Sequence, residues 1–150
     1  MDSSLIQQVE AMIAGEGNYI ANLANVSALI NQLASNINWV RFYFYEAESD
    51  QLVLGPFQGK PACIRINANQ GVCGTAFAHN ESQRVADVHQ FPGHIACDAA
   101  SQSELVIPFR LNNGVRGVFD LDAPIPNRFS QQDQAVLQEC VRVLEHHNHY

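Results

Sequence analysis

The chain has 150 residues, 47% of them hydrophobic, and a formal net charge of −7. That length suits one domain able to bury a sizeable core, so we expect a single domain over residues 1–150. Its eight basic residues include no adjacent pair, which excludes the clustered Lys and Arg that nucleic acid or an anionic membrane surface requires.

The amino terminus, MDSSLIQQVEAM, has no basic region followed by an apolar core of signal-peptide length, and no stretch approaches the ~20 apolar residues of a membrane span. A cytoplasmic protein is the expectation. Ser3 or Ser4 can cap a first helix with Leu5, Val9, Met12 and Ile13 on one face. A second helix is predicted over residues 19–37, where Ile20, Leu23, Val26, Ile30, Leu33 and Ile37 recur at steps of three and four. NWVRFYFYEA then switches to period two and reads as a strand, paired through EAESDQ with QLVLGPFQG. PACIRINA alternates again, with Ala62, Ile64 and Ile66 opposed to Cys63, Arg65 and Asn67. GVCGTAFAHNES is a short helix bounded by Gly71 and Gly74, RVADV a short strand, and HQFPGHIACDAASQ a long loop. ELVIPFRL and VRGVFDLD form a hairpin around Asn-Asn-Gly, which supplies the positive φ such turns need. Ser130 and Asp133 make a capping-box start to a last helix with Leu137, Cys140, Val141 and Leu144 on one face. Helices at both ends and an antiparallel meander between them predict an α+β sandwich with a sheet of five or six strands.

Four cysteines in a cytosolic chain point to transient catalytic disulfides or metal ligands rather than structural cross-links. Cys140 lies on an apolar helix face and reads as core. Cys63, Cys73 and Cys97 sit at strand ends or in loops, Cys97 in the polar run FPGHIACDAASQSE. Nine and 23 residues separate them in turn, a spacing that fits no common zinc pattern, even with His89 and His94 counted. A redox set remains, in which one thiolate attacks and a second resolves the product. Asp120 and Asp122 are two apart on a predicted strand, so both leave one face about 7 Å apart, with Phe119 and Leu121 toward the core. Glu104 opens the strand ELVIP. These acids are either a solvated face or part of a site.

GPFQGKPACIRI, GVCG, DVHQFPGHIACDAASQSELVIP and GVFDLDAP resemble the signature blocks of the free methionine-(R)-sulfoxide reductases, which are single GAF domains. The similarity runs from about Asn38 to about Phe129. The resemblance implies Cys97 as catalytic cysteine, Cys63 as main resolving partner and Cys73 as a second resolving thiol. It implies pocket carboxylates at Glu104, Asp120 and Asp122, and an aromatic wall at Trp39. One departure stands out: Arg41 replaces the Gly of the family's N-W-x-G-F-Y, at a position lining either the pocket or a dimer surface.

The implied activity is reduction of free methionine-(R)-sulfoxide, through thiolate attack, a sulfenic acid and an intramolecular disulfide reset by thioredoxin. No cofactor is expected to bind, since no dinucleotide fingerprint is present, and NADPH would act only through that external reductant. A thiolate at Cys97 must overcome the adjacent Asp98, with a loop N–H or His94 as the compensating donor. Carboxyls sharing one pocket cannot all ionise, so at least one should stay protonated and supply a proton, Glu104 or Asp122 first. Those that stay charged can hold the ammonium of a free amino acid. A homodimer is the family habit. The competing reading is a GAF sensor module that binds a small molecule without turning it over.

Overall fold

In the computed structural model, which describes residues 1–94 and 100–150, six antiparallel strands form one sheet. In chain order they are β1 (Trp39–Glu46), β2 (Gln51–Gly59), β3 (Arg65–Asn67), β4 (Gln83–Val85), β5 (Ser103–Arg110) and β6 (Arg116–Ala123). Their spatial order is β3-β2-β1-β6-β5-β4. The two long hairpins therefore meet at the centre, where β1 pairs with β6. Gly117 makes that approach possible, because a Cβ there would lie 1.8 Å from the Tyr43 carbonyl oxygen.

Three helices, α1 (Ser4–Ile13), α2 (Tyr19–Leu33) and α4 (Gln131–His146), join one face of the sheet in a shared core, while α3 (Gly71–His79) packs on the other. The period-two alternation sorts the strands between them. Val40, Phe42, Leu105, Ile107, Phe119 and Leu121 face the three helices. Tyr43, Val106 and Val118, with Leu52 and Ile66, face Val72 and Ala76 of α3. α4 begins with the predicted capping box, since the Ser130 hydroxyl accepts from the Asp133 N–H at 3.0 Å and Asp133 Oδ2 accepts from the Ser130 N–H at 3.0 Å. None of the helices among the described residues is long and apolar enough to cross a membrane.

Several expectations need correction. The first cap is not a serine hydroxyl; Asp2 Oδ1 accepts from the Ser4 N–H at 2.9 Å. α2 stops at Leu33, because Ala34 is extended and Asn36 takes a left-handed φ of 55°. Met12, Ile20 and Leu33 point outward, so the buried stripe is the narrower set Leu5, Val9, Ile13 and Leu23, Val26, Ile30. The strand predicted in PACIRINA shrinks to three residues and leaves Ile64 exposed. Its upstream part is drawn off the ladder, with the Cys63 carbonyl accepting from Tyr43 Oη at 2.8 Å. Cys73, expected at a strand end or loop, is buried within α3.

Candidate functional site

On the α3 side of the sheet, the residues between the core positions are polar. Register places Trp39 and Glu104 opposite Asp122 on its two sides, and Arg41 and Val106 opposite Asp120. Alternation keeps these side chains on one face, so three acids and one cation from β1, β5 and β6 converge beneath α3. All four are 5% exposed or less, which forces them to neutralise one another.

Arg41 bridges the two aspartates. Its Nε donates to Asp120 Oδ2 at 2.8 Å, and its Nη2 donates to the same oxygen and to Asp122 Oδ2 at 3.2 Å. The guanidinium stacks on Trp39, with Cζ 4.3 Å from the ring centroid. The Trp39 indole N–H donates to the Lys60 carbonyl at 2.7 Å. Ser101 donates to Asp122 Oδ2 at 3.1 Å and accepts from Asn38 Nδ2 at 3.1 Å. Among the described residues, Arg41 Nη1 has no partner, and no N–H or hydroxyl donor reaches Asp120 Oδ1 or Asp122 Oδ1. A proton shared between the acids is what remains for those two oxygens.

The protonation pattern follows from burial and from distance to Arg41. Burial pushes Glu104 well above the ordinary glutamate value, with Asp120 and Asp122 adding to it. Burial and then Asp120 raise Asp122 to about 8. Burial pushes Asp120 up as well, but the Arg41 guanidinium and hydrogen bonds from the other two acids outweigh it and hold its carboxyl below the usual range. Near neutral pH the cluster thus contains one ion pair, Arg41 with Asp120, and two protonated acids.

A small cavity, partly open to solvent, lies between this cluster and the start of α3. Arg41, Asp122, Glu104, Ser101, Cys73 and His94 are among its lining residues, while Asp120 and Trp39 stand behind Arg41. Of the residues singled out in the sequence, the structure brings Cys73, Glu104 and Asp122 to the cavity wall. Cys63 is disulfide-bonded, and its carbonyl anchors Tyr43, which faces α3. Cys97 and Asp98 lie outside the described residues. His94 loses proton affinity through burial and then through His89. Ser101 was not named from the sequence, whereas Arg41 was placed at the pocket or a dimer surface and His94 was offered as a donor to Cys97. Arg41 carried a usable signal, since it alternates in phase with Trp39 and replaces the family Gly.

Cys73 Sγ and oxygens of Glu104 and Asp120 come within 4.8 Å of one another, the reach of a metal site. The occupants argue against one. Cys73 donates to Glu104 at 3.8 Å, and burial, Asp120 and Glu104 push its thiol well up. A cation there would have to displace two protons and compete with Arg41 for Asp120.

A family model described as a GAF domain matches residues 22–144. The chain is 50% identical to the free methionine-R-sulfoxide reductase of Escherichia coli over 143 residues, covering 95% of this chain and 86% of that protein. It is 42% identical to the Saccharomyces cerevisiae protein of the same name, covering 93% and 81%. The structure of Staphylococcus aureus fRMsr in complex with substrate superposes with a TM-score of 0.87 at 48% identity, covering 94% of this chain and 91% of that one. Matches of this extent, on a sheet that gathers the expected acids under one helix, place the chain in the free methionine-R-sulfoxide reductase family of GAF domains.

Proposed function

We propose that the chain reduces free L-methionine-(R)-sulfoxide to L-methionine with electrons from a dithiol. The observation that carries this reading is the pair of buried acids, Glu104 and Asp122, that line the cavity and whose proton affinity burial raises. A sulfoxide oxygen leaves only when protonated, and a positioned carboxylic acid is the group to do it. Glu104, which accepts no hydrogen bond from Arg41 and is raised by burial, is the acid assigned to the sulfoxide oxygen. Asp122, at about 8, is the readier to ionise beside a substrate ammonium and to hold it.

The Cys97 thiolate attacks the sulfoxide sulfur, and the oxygen ends on the cysteine. Methionine leaves, and Cys97 becomes a sulfenic acid. The Cys63 thiol condenses with it, releasing water and forming a disulfide. Two electrons and two protons from thioredoxin reopen that bond. Cys73 is a poor resolving thiol in this arrangement, being buried and held protonated against Glu104. A homodimer belongs to the same reading.

The test is NADPH consumption with thioredoxin and its reductase on the free R-sulfoxide, the free S form and an N-blocked R-sulfoxide. Consumption with the free R form alone supports the substrate, the stereochemistry and the ammonium site together. Cys97→Ser should turn over nothing, and Cys63→Ser should stop after about one equivalent of methionine. A chain that binds the sulfoxide but consumes no NADPH is a sensor, and this reading falls.

A further inference from the structure

Two of the three guanidinium nitrogens of Arg41 are committed to Asp120 and Asp122, but Nη1 is buried without a partner among the described residues. An unmet donor on a buried cation is more costly than a neutral one, so it calls for an acceptor from elsewhere. Arg41 lines the cavity, and the lining includes no other Arg or Lys. The start of α3, at Gln70 to Cys73, lines the same cavity; a helix N-terminus adds free N–H groups and a positive dipole end that favour an anion.

We propose that Arg41 Nη1 binds the α-carboxylate of the free amino-acid substrate, which makes Arg41 a specificity-determining residue. The proposal rests on the reductase reading above and adds to it the second charged group of the substrate. A guanidinium suits the task because its planar fork can hold a carboxylate on one edge and offer another edge to a ligand. The stack on Trp39 at 4.3 Å fixes the plane of that fork. Charge balances as well. The resting cluster is neutral, and a zwitterion enters without leaving an excess charge in a buried place.

The experiment measures kcat/KM for methionine-(R)-sulfoxide and for its carboxamide, which keeps the amine and the sulfoxide but loses the anionic carboxylate. Wild type, Arg41→Gly and Arg41→Lys are compared, with methionine and methioninamide affinities measured by calorimetry in parallel. Wild type should prefer the free acid by roughly 10–100-fold, mostly through KM. In Arg41→Gly that ratio should collapse toward one, and Arg41→Lys, with a charge but no fork, should keep part of it. A merely structural role would weaken both substrates together and leave the ratio intact, which would overturn the proposal. So would an Arg41→Gly variant that gains on both substrates, because Arg41 would then only be blocking the cavity. Should Arg41→Gly fail to fold, the Arg41→Lys ratio decides: unchanged from wild type, it overturns the proposal. Should wild type reduce neither compound, the reductase reading fails and calorimetry decides separately. A preference for methionine over methioninamide that Arg41→Lys reduces upholds the carboxylate site, and equal affinities overturn it.

Discussion

On one face of the sheet Val40, Phe42, Phe119, Leu121 and Leu105 meet three helices; on the other face their sequence neighbours Trp39, Arg41, Asp120, Asp122 and Glu104 meet one. The same strands supply both sets, yet the two faces are held by different physics. The apolar face gains from area removed from water, and each side chain contributes nearly on its own. Phe42 and Phe119 stack with centroids 4.4 Å apart. The polar face is a closed network in which each member exists to offset another, so removing one leaves a charge or a proton stranded. The two buried free cysteines among the described residues share the contrast. Burial lifts Cys140, on the apolar face, to about 12, whereas Cys73 is raised by burial together with Asp120 and Glu104.

Substitutions can probe how far that contrast goes. Phe119→Ala should cost about 3–5 kcal/mol in urea unfolding, as expected for truncating a buried aromatic, and it should leave substrate preference unchanged. Asp120→Ala should cost a similar roughly 3–5 kcal/mol, but for the opposite reason, because Arg41 would be buried without its main partner. The double variant Arg41→Leu/Asp120→Leu should recover most of that loss in the same unfolding measurement. If it recovers none, the polar face does not behave as a mutually compensated network.

Smaller effects separate the two acids. Asp122→Asn should lower kcat/KM for the free R-sulfoxide roughly 10–100-fold. It should also remove a rise in kcat/KM toward pH 8, the range where Asp122 ionises; a limb that persists belongs to a thiol. Glu104→Gln addresses stability. The folded chain keeps a proton on Glu104 that the unfolded chain releases above about 4.3. Stability therefore falls as pH rises from that value toward the raised folded one. The Gln variant should lack this slope and melt higher than wild type near neutral pH, while losing turnover. The smallest change is Ser130→Ala, about 1 kcal/mol from one cap of α4, visible in unfolding and absent from kinetics.

Periodicity made much of this fold legible. The alternation in VFDLD sends Phe119 and Leu121 to one side and Asp120 and Asp122 to the other, as observed. The S-x-x-D at Ser130 announced its capping box because both partners lie within one turn. What stayed hidden depends on distant pairing. Alternation shows that Arg41 shares a face with Trp39, but not that β6 lies beside β1 and sets Asp120 opposite Arg41. GVCGTAFAHNES read as a short helix, yet the burial of Cys73 and the cover α3 gives the acids come from long-range packing that the stretch does not show. Ile20, Leu33 and Ile64 fit an apolar pattern but lie beyond the neighbours that would bury them. The acids themselves were visible as a set, whereas their unequal protonation follows from the nearness of Arg41.

The register along β6 works as a parity code. Odd positions 119, 121 and 123 build the core, and even positions 118, 120 and 122 face the other way. A single inserted residue inside that strand would act as a frameshift, turning aspartates into the greasy layer and aromatics into the cavity. Loops such as residues 47–50 or 112–114 are free of that grammar. Length changes should be tolerated there, while β1, β5 and β6 admit only letter-for-letter replacement.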